Sequence, residues 1–227
     1  MNILALDTSM GACSAAVLRT DGAERKLFVR QEAMARGHAE ALMPMVAETM
    51  AAASLPFAEL DTIAATTGPG SFTGVRIAIA AARGLALVTG AGLFGTDSLT
   101  VMAKAAAEPL GEPFAVAVDA RRGMLYFGLY DGDARQLEGP LLLSPGDAAQ
   151  RLPATLRCAI GSGAASLAEA AAGRGLLVAA SFAELQPSAA ALAQIAYESG
   201  ETSPTLKPLY LRPPDAKPQL QTVAVPR

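Results

Sequence analysis

Ile3-Leu4-Ala5-Leu6-Asp7-Thr8-Ser9 is a short apolar run that ends in a carboxylate and two hydroxyls. The run is too short for a buried helix and reads as a core strand. The two segments after it decide the class. Cys13 to Thr20 is a second extended run, and Asp21-Gly22 is a hairpin dipeptide, because glycine tolerates positive φ. Ala23 to Arg30 is then the returning strand. Three antiparallel strands therefore precede any helix. A dinucleotide-binding domain would open strand–helix–strand instead.

Outward from that start, the period changes. Leu42, Val46 and Met50 recur at i, i+4 and i+8, with Met45 and Thr49 beside them, which predicts a helix from His38 to Ala53. Pro44 inside it marks either an early turn or a kink. Thr62 to Thr66 is a short strand, followed by Thr67-Gly68-Pro69-Gly70-Ser71-Phe72-Thr73-Gly74 and an alanine-rich helix from Thr73 to Val88. Leu93 to Gly95 is a brief strand and Ser98 to Ala107 a helix. After Pro109 the pattern restarts, with strands at Phe114–Asp119 and Met124–Tyr130 around the turn Ala120–Gly123. Leu141–Leu143, a helix at Pro145–Leu152, a strand at Cys158–Ile160, a helix after Gly163 and a last helix at Pro187–Glu198 complete it. The expected division is a first lobe over 1–108, a second over 109–203 and a tail over 204–227. That tail holds six of the fifteen prolines and reads as extended and partly disordered. Two related α/β halves are implied, with no close sequence repeat.

Composition excludes several classes. The chain has 227 residues, 52% hydrophobic and 17% charged, which rules out disorder over most of its length. Its net charge is -3 and no basic stripe is visible, which argues against tight, independent binding of tRNA or DNA. One histidine, His38, and two cysteines, Cys13 and Cys158, exclude zinc fingers, two-histidine metalloproteases and disulfide scaffolds. The N-terminus carries no signal-like segment, so a cytoplasmic protein with reduced thiols is expected. Ile77 to Phe94 is apolar, but Arg83 interrupts it, and it reads as a buried helix and turn with no role in a membrane.

The motifs each have two readings. The glycine loop lies between a strand and a helix, where backbone N–H groups and the helix dipole favour an anion. No lysine follows Gly74, so it is not a Walker loop. Glycines at 68, 70 and 74 are one residue too long for a dinucleotide fingerprint. Gly68, Gly70, Ser71, Thr73 and Gly74 are therefore candidates to lie beside a nucleotide or phosphate, or they let a helix pack closely. Asp7, Thr8 and Ser9 could orient a hydrated metal or a phosphate, or form a turn that caps the strand. His38 is a general base or a capping residue, and a triad with Ser71 lacks the G-x-S-x-G elbow. Arg121-Arg122 is a phosphate contact or a solvated tip, and Ile160-Gly161-Ser162-Gly163 a second cradle or a tight connection. The methionines of the first helix suit a core or an adaptable interface.

Taken together, Ile3 to Ser9, Gly37-His38-Ala39-Glu40, the stretch Thr67 to Ile77, Asp119-Ala120-Arg121-Arg122-Gly123 and Pro208-Leu209-Tyr210-Leu211-Arg212 resemble the TsaB (YeaZ) family. The resemblance implies an actin-like, Hsp70-like ATPase (ASKHA) fold of two lobes, each a mixed sheet flanked by helices. It implies a non-catalytic scaffold in the synthesis of threonylcarbamoyladenosine beside the tRNA anticodon, supporting the catalytic paralogue TsaD together with the ATPase TsaE. One helical face would make both a homodimer and the TsaD contact, with His38, Leu42, Met45, Val46, Thr49, Met50 and Ile77 as its expected residues. tRNA would be met only through the complex. No metal or cofactor would be required by this chain, with ATP or ADP at the complex interface. Ser98 and Met102 stand where the paralogue carries two metal-binding histidines, and a hydroxyl and a thioether cannot replace two imidazoles. The alternatives are a self-sufficient ATPase or kinase of the same fold, and a dinucleotide-dependent oxidoreductase with Asp97 as its ribose acid.

Overall fold

Period-two alternation decides which side of each strand meets which layer. β1 (Asn2–Asp7) sends Leu4 and Leu6 to one side, with Cys13, Ala15 and Val17 of β2 (Ala12–Asp21) and Ile63 and Ala65 of β4 (Thr62–Thr66). Ile3, Ala5, Ala16, Leu18 and Ala64 face the other side. Both sides are covered, which is why these strands are apolar throughout. The computed structural model describes residues 1–22 and 24–212; residue 23 and the part of the expected tail beyond 212 lie outside the described residues.

The first sheet has the order β3-β2-β1-β4-β5, with β3 (Glu24–Ala33) and β5 (Gly92–Thr96) at its edges. β1–β2 and β2–β3 are antiparallel, whereas β1–β4 and β4–β5 are parallel. β3 runs three residues past the expected end at Arg30, because Ala33 still pairs with Ala12. The second sheet contains β6 (Phe114–Asp119), β7 (Leu125–Tyr130), β8 (Gln136–Leu143), β9 (Cys158–Ile160) and β10 (Ala179–Ser181), in the order β10-β9-β6-β7-β8. Its pairings repeat the first: β6–β7 and β7–β8 antiparallel, β6–β9 and β9–β10 parallel. This is the two-lobed actin-like (ASKHA) fold, and the duplication is one of topology. β10 has three residues and leaves no readable period in the sequence.

Helices fill three layers. α1 (His38–Ala52) and α2 (Phe72–Thr89) cover one side of the first sheet. α4 (Pro145–Arg151) and α5 (Ala164–Ala172) cover the outer side of the second. Between the sheets lie α3 (Ser98–Leu110) and α6 (Ala189–Ser199). α3 gives Leu99, Met102 and Ala103 to the second sheet and Val101 to the first, and Lys104 meets Glu198 of α6 at 2.7 Å. Beyond α6 the chain becomes a strap on the first lobe. Ser203 bridges to Leu93, Arg83 donates to Thr205 Oγ1 at 3.0 Å and to the Leu206 carbonyl, and Leu209 N–H donates to Thr67 O at 2.7 Å.

The glycine loop is a packing device. A Cβ at Gly70 would lie 2.2 Å from the Ser9 carbonyl oxygen, and one at Gly74 2.0 Å from that of Thr8. No rotamer change relieves a clash with backbone, so only glycine lets α2 approach β1 this closely. Ser71 caps the helix by accepting from Gly74 N–H at 3.3 Å. We expect Gly74→Ala to lower stability by about 3 kcal/mol or more in urea unfolding, the upper end of overpacking costs. Gly84, in the same helix, has nothing within 4 Å of an added Cβ. Gly84→Ala should raise stability by roughly 0.5–1 kcal/mol through helix propensity alone.

Candidate functional site

Asp7, Thr8 and Ser9 end β1 beneath the glycine loop, and all three are fully buried. Asp7 Oδ2 accepts from Ser9 Oγ at 2.8 Å and from the Thr66 hydroxyl, and Oδ1 accepts from Ser9 N–H at 3.3 Å. Ser98 Oγ donates to Ser9 Oγ at 3.1 Å, and Thr8 Oγ1 to Gly74 O at 2.7 Å. Burial pushes the Asp7 carboxyl up to about 6, against the downward pull of these hydroxyl and N–H donors. The hydroxyl donors that a phosphate would need, and the carboxylate oxygens that a hydrated metal would need, are thus engaged inside the chain. Neither these three residues nor Gly68 lines the large cleft between the lobes.

The interlobe cleft has a volume of 770 Å³. Gly70, Ser71, Thr73 and Gly74 form one wall, with Arg36 and His38 beside them, and Asp119 and Arg121 form the other. His38 Nε2 lies 3.1 Å from the Met10 carbonyl oxygen, so its ring is tied to backbone rather than to Ser71. Arg121, Arg122 and Gly123 hold successive positive φ of 63°, 55° and 69°. Asp119 Oδ1 pins this turn by accepting from Arg121 N–H at 2.8 Å, and Ser162 Oγ accepts from Asp119 N–H at 3.1 Å. Non-glycine residues in the left-handed region store strain, here on the cleft wall. The second glycine pair is again packing: a Cβ at Gly161 would lie 2.6 Å from Ala117 O.

The remaining candidates are structural. Ser98 and Met102 are fully buried, Ser98 in the Asp7 network and Met102 among the second-lobe apolar residues. Among the described residues no group of three or more His, Cys, Asp or Glu could hold a metal ion. Asp97 caps α3 by accepting from Thr100 N–H at 2.9 Å, and its burial raises its carboxyl. Cys13 and Cys158 are buried and form no disulfide, and burial pushes the Cys13 thiol up to about 11.

The expected docking residues need correction. Leu42, Met45, Val46, Thr49 and Met50 are buried within the monomer, and Thr49 Oγ1 donates to Met45 O at 2.7 Å. His38 is half-buried at the cleft and Ile77 packs on the core edge. A stripe at i, i+4, i+8 is the signature of the face a helix turns to its own sheet, and here it does that. The face left open carries Met43 and Ala47 of α1 and Ala80, Gly84, Leu87 and Val88 of α2, while Ala39 at the start of α1 lines the cleft. Met43 is 43% exposed, Leu87 88% and Val88 85%. α2 is therefore not the buried helix that its composition predicts. It is long and apolar enough to cross a membrane by length and composition, yet only 28% of it is buried. The readable signal was a second apolar phase: Val75, Ala78, Ile79 and Ala82 share the core side, and Ala80, Leu87 and Val88 fall off it.

Residues 29–212 match the family described as tRNA N6-adenosine threonylcarbamoyltransferase, TsaD. The Escherichia coli protein named tRNA threonylcarbamoyladenosine biosynthesis protein TsaB is 38% identical over 134 residues, covering 59% of this chain and 56% of that relative. The match thus spans only about half the length of this curated relative. An uncharacterized Mycobacterium tuberculosis protein is 32% identical over 220 residues, 95% of this chain and 94% of the relative. The solved structure of YeaZ from Pseudomonas aeruginosa superposes with a TM-score of 0.78 at 32% identity, covering 92% of this chain and 99% of that one.

The buried carboxyl has a measurable consequence. Folded Asp7 titrates at about 6 against an ordinary 3.8, so the native state keeps a proton that the unfolded chain has released. Its contribution is complete below pH about 4 and is lost as pH rises through about 6, by up to roughly 3 kcal/mol. The raised Asp97 acts in the same direction. Urea unfolding of Asp7→Asn and the parent from pH 4 to 7 should show a smaller decline in the variant. Parallel pH profiles would remove Asp7 as the source.

Proposed function

The chain belongs to the TsaB (YeaZ) family, and from that premise we propose that it is a non-catalytic subunit in the biosynthesis of tRNA threonylcarbamoyladenosine. In this reading it docks the open α1–α2 face on the catalytic paralogue TsaD, with the ATPase TsaE as third component. The observation that carries it is the apolar end of α2, with Leu87 and Val88 almost wholly exposed beside the small residues Ala80 and Gly84. Large contiguous apolar surface on a helix pair is the mark of a protein interface, and small residues let another helix come close. A paralogue of the same fold presents a similar face, so one patch serves both an isologous homodimer and the heterodimer, and the two compete.

The absence of catalysis rests on Ser98 and Met102, whose buried side chains occupy the stretch where the paralogue carries histidines. No cofactor is required by this chain in this reading. ATP or ADP belongs to the interface with TsaD, tRNA is engaged through the complex, and the setting is the cytoplasm. A self-sufficient ATPase of the same fold is the second reading, favoured by the 770 Å³ interlobe cleft. ATP turnover by the pure chain would establish it, and the sealed Asp7 network argues against it.

A charge at the centre of the open face would be desolvated and unpaired on docking. Leu87→Asp and Gly84→Arg should each weaken capture of TsaD by at least about tenfold and shift the chain towards monomer in light scattering, while melting stays cooperative. A folded Leu87→Asp that still dimerises and still captures TsaD would place the interface elsewhere. Reconstituted tRNA modification with TsaD and TsaE should fail when this chain is left out.

A further inference from the structure

We propose that the cleft rim where the C-terminal strap meets the start of α2 is a contact site for single-stranded RNA. The inference rests on the reading of the chain as a tRNA-modification subunit and concerns a surface distinct from the α1–α2 face. The strap brings Tyr210 onto Phe72, with ring centroids 5.1 Å apart and planes 28° from parallel. The Arg76 guanidinium lies 3.8 Å from the Phe72 ring centre, and its Nε donates to the Tyr210 hydroxyl at 2.7 Å. Phe72 nevertheless keeps 45% of its surface exposed and Tyr210 39%. Two residues on, Arg212 donates to the carbonyl of Arg121 at 3.4 Å, which sets the strap against the strained turn of the second lobe. Arg36 and Arg121 both face the cleft here.

Charge decides the kind of partner. Arg36, Arg76, Arg121 and Arg212 make no ion pair with a carboxylate among the described residues, whereas Arg30, Lys104 and Arg151 do. Four guanidinium groups without an ion pair outnumber the carboxylates of Glu40 and Asp119 that also line this cleft, and they make a local cationic site on a chain whose net charge is -3. Guanidinium groups alternating with exposed rings suit a phosphate backbone whose bases stack. A duplex hides its base faces, so the aromatic pair selects unpaired nucleotides such as those of a loop. The rings and Arg76 hold one another in place, so little side-chain entropy is lost on binding. The overall negative charge keeps the affinity of the isolated chain low, and the site adds to contacts made by the assembled complex.

The test is fluorescence anisotropy of a short single-stranded RNA with the full chain, alone and with TsaD, at stepped KCl concentrations. Phe72→Ala should weaken binding about tenfold with an unchanged salt slope, and Phe72→Trp should restore it. Arg121→Gln should reduce the slope of log affinity against log salt by about one. Duplex RNA of the same sequence should bind more weakly than the single strand. The proposal is overturned if the parent binds no RNA even with TsaD, if Phe72→Ala binds as the parent does, or if tripolyphosphate or an acidic peptide competes as well as RNA of equal charge. TsaD capture by the same variants separates the two readings. Intact capture without a Phe72 effect sinks only the RNA site, RNA loss that appears only where Phe72→Ala also loses TsaD overturns it as well, and Leu87→Asp that keeps capture sinks only the docking proposal.

Discussion

The contact of backbone on backbone between the glycine loop and the end of β1 governs the first lobe. Gly70 and Gly74 rest on the carbonyls of Ser9 and Thr8, so α2 starts at a fixed distance and direction above the sheet. From there its eighteen residues extend about 27 Å. The parallel strands β4 and β5 beneath it have five residues each and reach only about 17 Å. The helix is therefore longer than the strands beneath it. Val75, Ala78, Ile79 and Ala82 find a core, Leu85 and Ala86 near its end still pack against that core, and Leu87 and Val88 turn away with nothing among the described residues to cover them. The open apolar surface comes from a long helix that carries apolar side chains on the phase turned away from its own sheet.

The same contact explains why Asp7 is buried. With the loop seated on residues 8 and 9, the carboxyl at the strand end is roofed over, and hydroxyls join the Ser9 N–H to satisfy it. Ser9, Thr66 and, through Ser9, Ser98 supply them. Asp-Thr-Ser at the end of a first strand is the composition of a phosphate or cation site. Here the group is partnered within the protein and costs stability as pH rises. Nothing in the three letters separates these uses. The separation comes from Thr66, fifty-nine positions away, and from the loop beyond it.

This marks the boundary of what was readable in the chain. Short continuous apolar runs at Ile3–Asp7, Cys13–Thr20 and Phe114–Asp119 and the Asp21-Gly22 turn carry the strand order, because buried runs and turn chemistry are local. Two related α/β halves were legible from that order, whereas the actin-like architecture came from the resemblance of the motifs to a family. The open face of α1 and α2 was not legible. Leu42, Val46 and Met50 repeat at helical spacing because they face their own sheet, and periodicity cannot tell a helix's own core from a partner's. The exposed stripe of Ala80, Gly84 and Leu87 is weak in composition and gains meaning only from which phase of α2 the sheet leaves open. β10 and the contacts of the strap were also silent, since three residues of strand and an irregular segment have no period.

The return of the chain to the first lobe ties these features together. α6 covers the back of β1 and β2, and the strap after it is pinned by Ser203 to β5, by Arg83 to α2 and by Leu209 to the residue before the glycine loop. The second sheet is thus enclosed in sequence between two parts that pack on the first. This geometry makes α2 the common member of the molecule's two open surfaces. Its first turn, with Phe72, Thr73 and Arg76, forms the cleft rim under Tyr210, and its last turn, with Leu87 and Val88, forms the exposed apolar end. One unbroken helix, seated by glycine on β1 and clamped by the strap, holds both at a set separation. A partner gripping one end meets the other in a fixed orientation, which a loop-borne pair of sites could not offer.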